Sequence, residues 1–83
     1  MKLDPGLVVT REQLAKFVEA CRGDLIANPE QWENVTLERY LSALSRYIED
    51  VPGYLQNTGS SLSPDTASWQ LFATVIAGAR VYE

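Results

Sequence analysis

Few groups in this chain could act chemically on a substrate. They are Cys21, the carboxylate pairs Glu30/Glu33 and Glu49/Asp50, and the serines of Gly59-Ser60-Ser61-Leu62. With no histidine and one cysteine, the chain cannot assemble Ser-His-Asp or Cys-His catalysis, or the usual Cys/His zinc sites. Two carboxylates can serve as acid and base on a glycosidic bond, but only across a cleft that a domain this small seldom has. A hard cation needs several converging oxygens, and no D-x-[DN]-x-[DN]-G spacing is present. The carboxylates therefore read as solvated helix faces, and Cys21, inside an apolar helical stripe, as a buried inert thiol. No catalytic, cofactor-binding or metal site is expected, and the chain reads as non-enzymatic.

What remains is the chemistry of recognition. Trp32 stands between Glu30, Glu33 and Asn34 in a connector. It reads as folding inward over the open end between helices one and two, its indole N–H on a carbonyl; the alternative is display beside its acidic neighbours for a basic partner. Asn34 suits turn or capping hydrogen bonds. Tyr40 and Tyr47 fall on one edge of a helical stripe: they read as half-buried rings with their hydroxyls in water, or, as the alternative, as rimming a recognition surface together with Trp32. Leu71, Val75 and Tyr82 form a second apolar face on the last helix, suited to a partner or a homodimer seam.

Three helices must position these groups. Thr10 and Gln13 spell a T-x-x-Q capping box, and Val9 and Leu14 stand where a hydrophobic staple would close around it. The stripe Leu14, Phe17, Val18, Cys21 and Leu25 predicts helix one over about residues 10–27, ended by Asn28-Pro29. Pro29–Trp32 predicts one short helical turn. Thr36 then caps helix two, over about 36–50, with the stripe Leu37, Leu41, Leu44, Ile48 and Val51 and a stop at Pro52-Gly53. Residues 52–63 read as a long loop, with Tyr54, Leu55 and Leu62 pinning it to the core. Helix three, about 65–82, starts from Ser63 or Thr66 and carries the stripe Trp69, Phe72, Ala73 and Ile76 opposite the Leu71 face. The expected architecture is all-α: a three-helix bundle with a short extra helical turn before helix two, forming one domain over residues 1–83.

Composition limits the partners. The net charge is −4, and the basic residues Lys2, Arg11, Lys16, Arg22, Arg39, Arg46 and Arg80 are dispersed. Nucleic acid and anionic membrane surfaces are therefore not expected as partners. No apolar run approaches the roughly 18 residues of a membrane span, and the stretch from Met1 to Gly6 lacks the apolar core of a secretory signal. A single cysteine suits a reducing compartment, so cytoplasmic residence is expected.

Two resemblances follow from quoted residues. Trp32-Glu33-Asn34-x-Thr36-Leu37-Glu38-x-Tyr40-Leu41, with Trp69-x-x-Phe72-Ala73 and Ala79-x-x-Tyr82-Glu83, resembles a group of small, mostly bacterial helical proteins described as a domain of unknown function. That likeness covers Thr10 to Glu83; it implies a stand-alone helical domain and transfers no catalytic residue. Gly59-Ser60-Ser61-Leu62 is distantly similar to the G-x-D-S-L setting of acyl carrier proteins, which would make Ser61 the modified serine. Ser60 replaces the aspartate, Pro64 follows closely and the next helix is apolar, so a turn of small residues accounts for it better. The leading expectation is an acidic protein-binding module, in one version an immunity- or inhibitor-type protein masking a basic partner. A self-associating helical protein is the alternative.

Overall fold

In the computed structural model, residues 3–83 are described; Met1 and Lys2, on which part of the N-terminal reading falls, lie outside the described residues. A 3-10 turn, Pro5–Leu7, leads into α1 (Arg11–Ala27). A second 3-10 turn, Pro29–Gln31, precedes α2 (Leu37–Asn57) and then α3 (Trp69–Ala79). The architecture is the expected all-α three-helix bundle with an extra turn before α2.

The capping box at the start of α1 is present. Thr10 Oγ1 accepts from the Gln13 amide at 3.1 Å, and Gln13 Oε1 accepts from the Thr10 and Val9 amides. The staple is not: Val9 is 63% exposed, and its neighbour Val8 is the buried residue. α2 starts at the expected Thr36 cap, whose hydroxyl accepts from the Arg39 amide.

The end of α2 differs from expectation. Instead of stopping at Pro52-Gly53, it continues to Asn57 with Pro52 inside it. A mid-helix proline removes one hydrogen bond and costs about 3 kcal/mol. Here Pro52 and the preceding turn at Ile48 lie on the exposed side, where water can take up the freed carbonyl. Burying Leu55 beyond it, at about 1.5–3 kcal/mol, offsets most of the loss. The helix stops at Gly59, whose φ of 68° is the left-handed geometry of a C-terminal cap. The Ser60 amide donates to the Leu55 carbonyl and the Gly59 amide to Gln56, which is the Schellman pattern.

α3 starts later and ends earlier than the expected bounds of about 65–82. Ser68 is its cap, accepting from the Leu71 amide at 3.0 Å, so residues 64–67 belong to the connector. At the far end the chain turns after Ala79, with the Val81 amide on the Gly78 carbonyl.

α3 is the central element: α1 and α2 each pack on it rather than on one another. On one side Ala73 and Ala77 meet Phe17, Cys21 and Val8; on the other Leu71 and Val75 meet Tyr47, Val51 and Leu55. The face of α2 that enters the core is therefore Ala43, Tyr47, Val51 and Leu55, a line rotated from the expected leucine stripe. Tyr47 is 7% exposed and its ring lies on Gly78, where an added Cβ would sit 2.4 Å from ring carbons. Replacing Gly78 by Ala should destabilise the domain by about 1–3 kcal/mol through overpacking, despite the roughly 1 kcal/mol gain in helix propensity. A denaturant midpoint unchanged or raised by G78A would contradict this packing.

Candidate functional site

The connector between α1 and α2 is fastened to the C-terminal end of α3. A helix leaves its last four carbonyls without partners inside the helix. Here the segment from Glu33 to Tyr40 supplies several of the missing donors. Tyr40 donates its hydroxyl to the Ile76 carbonyl at 2.8 Å. The buried Asn34 amide donates to the carbonyls of both Ala79 and Tyr82, each at 2.9 Å. The backbone amides of Glu33 and Asn34 both donate to the Arg80 carbonyl. Arg80 Nε closes back on the Ala77 carbonyl at 2.7 Å.

Trp32 completes the fastening from the outside. Its indole Nε1 donates to Asp24 Oδ2 at 2.8 Å, and its half-buried ring packs on the Phe17–Ala77 core and on Tyr40. The Arg80 guanidinium lies 5.7 Å from the ring centroid and 3.7 Å from Asp24. Trp32 is thus anchored inward, and Glu30 and Glu33 stay exposed. The indole and the Asn28 side chain, both donating to Asp24, hold its carboxyl below the usual aspartate range.

The remaining expected recognition residues fall in different places. Tyr47 is core, not rim, because the rotated face of α2 carries it under Tyr54 and Tyr82. Leu71 and Val75 are buried by α2, so the second apolar face of α3 is already covered within the chain. Tyr82 donates its hydroxyl to Asp50, and this bond to a carboxylate raises its pKa. Burial pushes Tyr40 and Tyr47 up to about 12, and it likewise raises the Cys21 thiol. Ser61 is exposed in the connector and does not start a helix. Each of these groups is accounted for by packing or by a bond that holds the fold, and Glu19 and Arg22 are shifted by their own exposed ion pair.

The exposed apolar surface lies elsewhere. Three of the five residues of the stripe expected to enter the core instead face outward, Leu37 73% exposed, Leu41 53% and Ile48 52%, while Leu44 is half-buried against the core and Val51 is buried as expected. Beside it the outer face of α3 leaves Phe72 43% exposed, with Trp69 edge-on against it. Because α1 and α2 diverge over α3, a cleft of about 330 Å³ opens between them, with Ile76 on its floor. Val18 and Leu25 of α1 and Leu37 and Tyr40 of α2 line its walls. A second apolar hollow of about 240 Å³ lies farther along α2, between Ile48 and Phe72. Leu37, Leu41, Leu44 and Ile48 follow helical spacing along one side of α2, and Phe72 and Ile76 along one side of α3, so both hollows open on one face. The sequence carried a signal for this surface, since α2 has more apolar positions than one neighbour can cover.

Comparison with known proteins places the chain by sequence alone. The sequence model of a family of unknown function, DUF7660, matches residues 10–83. No curated protein and no solved structure matches.

Two outcomes test this geometry. Asn34→Ala strands two carbonyls and should cost about 1–3 kcal/mol, whereas Gln31→Ala, exposed one turn earlier, should stay within about 0.5 kcal/mol. Equal denaturant midpoints for the two variants would contradict the cap. For Tyr40 and Tyr47, a folded pKa above the unfolded value of about 10 means that their contribution is complete below pH 10 and disappears as pH rises through about 12. Their tyrosinate absorbance should therefore appear near pH 12 together with loss of helical circular dichroism. Complete ionisation near pH 10 with the helices intact would contradict their burial.

Proposed function

The chain belongs to this family of unknown function, and we propose that it is a non-enzymatic protein-binding module that docks its partner on the exposed apolar face of α2 and α3, on which both hollows open. The carrying observation is the row Leu37, Leu41 and Ile48, more than half exposed, beside the open Phe72 face of α3. Isolated exposed leucines need no explanation, but an aligned row bordering two apolar hollows marks an interaction surface. The absence of catalysis is part of the same proposal. Its support is that Asp24, Tyr40, Tyr47 and Tyr82 each make a contact that holds the fold, that Tyr40 at the cleft wall spends its hydroxyl on the Ile76 carbonyl, that Cys21 is shifted by burial, and that Glu19 and Arg22 are shifted by their own surface ion pair.

The docking residues differ from those the sequence suggested. Trp32 and Tyr40 contribute to one wall, while Tyr47, Leu71 and Val75 support the groove from within. An immunity- or inhibitor-type role is the version in which the partner is a basic protein masked by this acidic domain. Cytoplasmic residence fits the single unpaired cysteine. No helix among the described residues is long and apolar enough to cross a membrane.

A photo-crosslinking residue placed singly at positions 41, 48, 16 and 53, in the source cell, tests the surface. The expected result is one discrete adduct from positions 41 and 48, lost when Leu37→Asp is added, and none from 16 or 53. Equal adducts from all four positions, or none from the groove, would overturn the proposal.

A further inference from the structure

We infer that the occupant of the exposed apolar face is a second copy of the same chain, laid across it with the two α2 helices antiparallel. This rests on the face being the docking surface and names what docks there. The homodimer seam suggested by sequence, Leu71, Val75 and Tyr82, is already packed against α2 within the chain. The spacing of the open face suits a two-fold contact. Leu37, Leu41, Leu44 and Ile48 are separated by four, three and four residues, the a/d repeat of helices that pair along a seam. That order reads the same in both directions. Antiparallel pairing about its midpoint therefore sets Leu37 against Ile48 and Leu41 against Leu44, so each copy offers the other the same surface, as a closed dimer requires.

Charge agrees with that direction. Arg22 is the one charged residue lining the cleft at the Leu37 end, and Asp65 the one lining the hollow at the Ile48 end. Antiparallel copies bring the Arg22 end of each to the Asp65 end of the other. Parallel copies would set Arg22 against Arg22 and Asp65 against Asp65. Arg22 binds Glu19 through Nε and Nη2 in an exposed pair, which leaves Nη1 for the other copy. Asp65 makes no ion pair among the described residues. Glu38, Arg39 and Arg46 line a separate polar depression beside Tyr82.

The area is that of a small interface. Leu37, Leu41, Ile48, Trp69 and Phe72 are 39–73% exposed, which at roughly 200 Å² for a large apolar residue leaves about 500 Å² open per copy. Two copies would cover about 1,000 Å² through these side chains, and the residues around them carry the contact to the lower end of the roughly 1,200–2,000 Å² of specific interfaces. A reversible dimer is expected at that size.

Sedimentation at low salt, from micromolar to near-millimolar chain, tests this. The wild-type chain should form a dimer as concentration rises. Leu41→Asp, at an exposed position, should abolish the dimer with helical circular dichroism unchanged. Arg22→Glu and Asp65→Arg should each weaken it about tenfold alone, because each sets like charges together at both ends of the contact. An equimolar mixture of the two variants should restore it, since both pairs are then of opposite sign. A monomer at every concentration overturns the inference. Adducts of another mass from positions 41 and 48 would in that case leave the docking face standing with a foreign partner, whereas no adduct would remove the face as well. A dimer indifferent to Leu41→Asp lies elsewhere on the surface and overturns the inference too. So does a mixture no tighter than its components, because the copies are then not antiparallel.

Discussion

The open carbonyls at the C-terminal end of α3 are the constraint from which the rest of the structure follows. A central helix in a domain this small ends inside the fold, where its last carbonyls cannot all reach water. An unpaired buried carbonyl would cost about 1–3 kcal/mol. The solution is to bring the connector between α1 and α2 across that end and let it donate. Asn34 takes two carbonyls, the Glu33 and Asn34 amides take a third, and Tyr40 reaches a fourth one turn earlier. Trp32 then lies over the junction, tied to α1 through Asp24 and covered by Arg80. One short segment thereby links all three helices.

That arrangement also decides where apolar surface is left over. With the connector spanning the end of α3, α1 and α2 lie on different sides of it and diverge over its outer face. The alanines of α3 admit α1 closely, and Gly78 admits the ring of Tyr47. α2 must turn Tyr47, Val51 and Leu55 inward to fill that space, which leaves Leu37, Leu41 and Ile48 outside. Two helices packed on opposite sides of α3 leave part of so apolar a helix uncovered. The groove is the unmet part of the fold's own hydrophobic pattern, which is why it is a better candidate for function than any cluster of titratable groups.

Much of this was legible from residue spacing, and the exceptions have physical causes. The Thr10–Gln13 box and the Thr36 cap were readable because capping is local chemistry that tertiary contacts do not displace. The capping role of Asn34 was readable in kind but not in target, since nothing in a local window says that its acceptors lie on residues 79 and 82. Pro52-Gly53 read as a stop because propensity was weighed without the burial of Leu55 beyond it. The signal for the true end was present in Asn57-Thr58-Gly59, a glycine at the capping position. The facing of α2 was misjudged because two apolar lines run along it and share Val51, one through Leu37, Leu41 and Ile48 and one through Ala43, Tyr47 and Leu55. Spacing alone cannot choose between them; a glycine on the opposite helix, with room for a ring, makes the choice.

The central claim is that residues 33 and 34 are bonded into the end of α3 as firmly as the helix is bonded to itself. Native-state amide hydrogen exchange at these two positions tests it most directly, because their N–H groups both donate to the Arg80 carbonyl. The account predicts that Glu33 and Asn34 exchange as slowly as the buried amides of Thr74 and Val75, through global unfolding. Exchange at the rate of an open loop, with the α3 amides still protected, would contradict it.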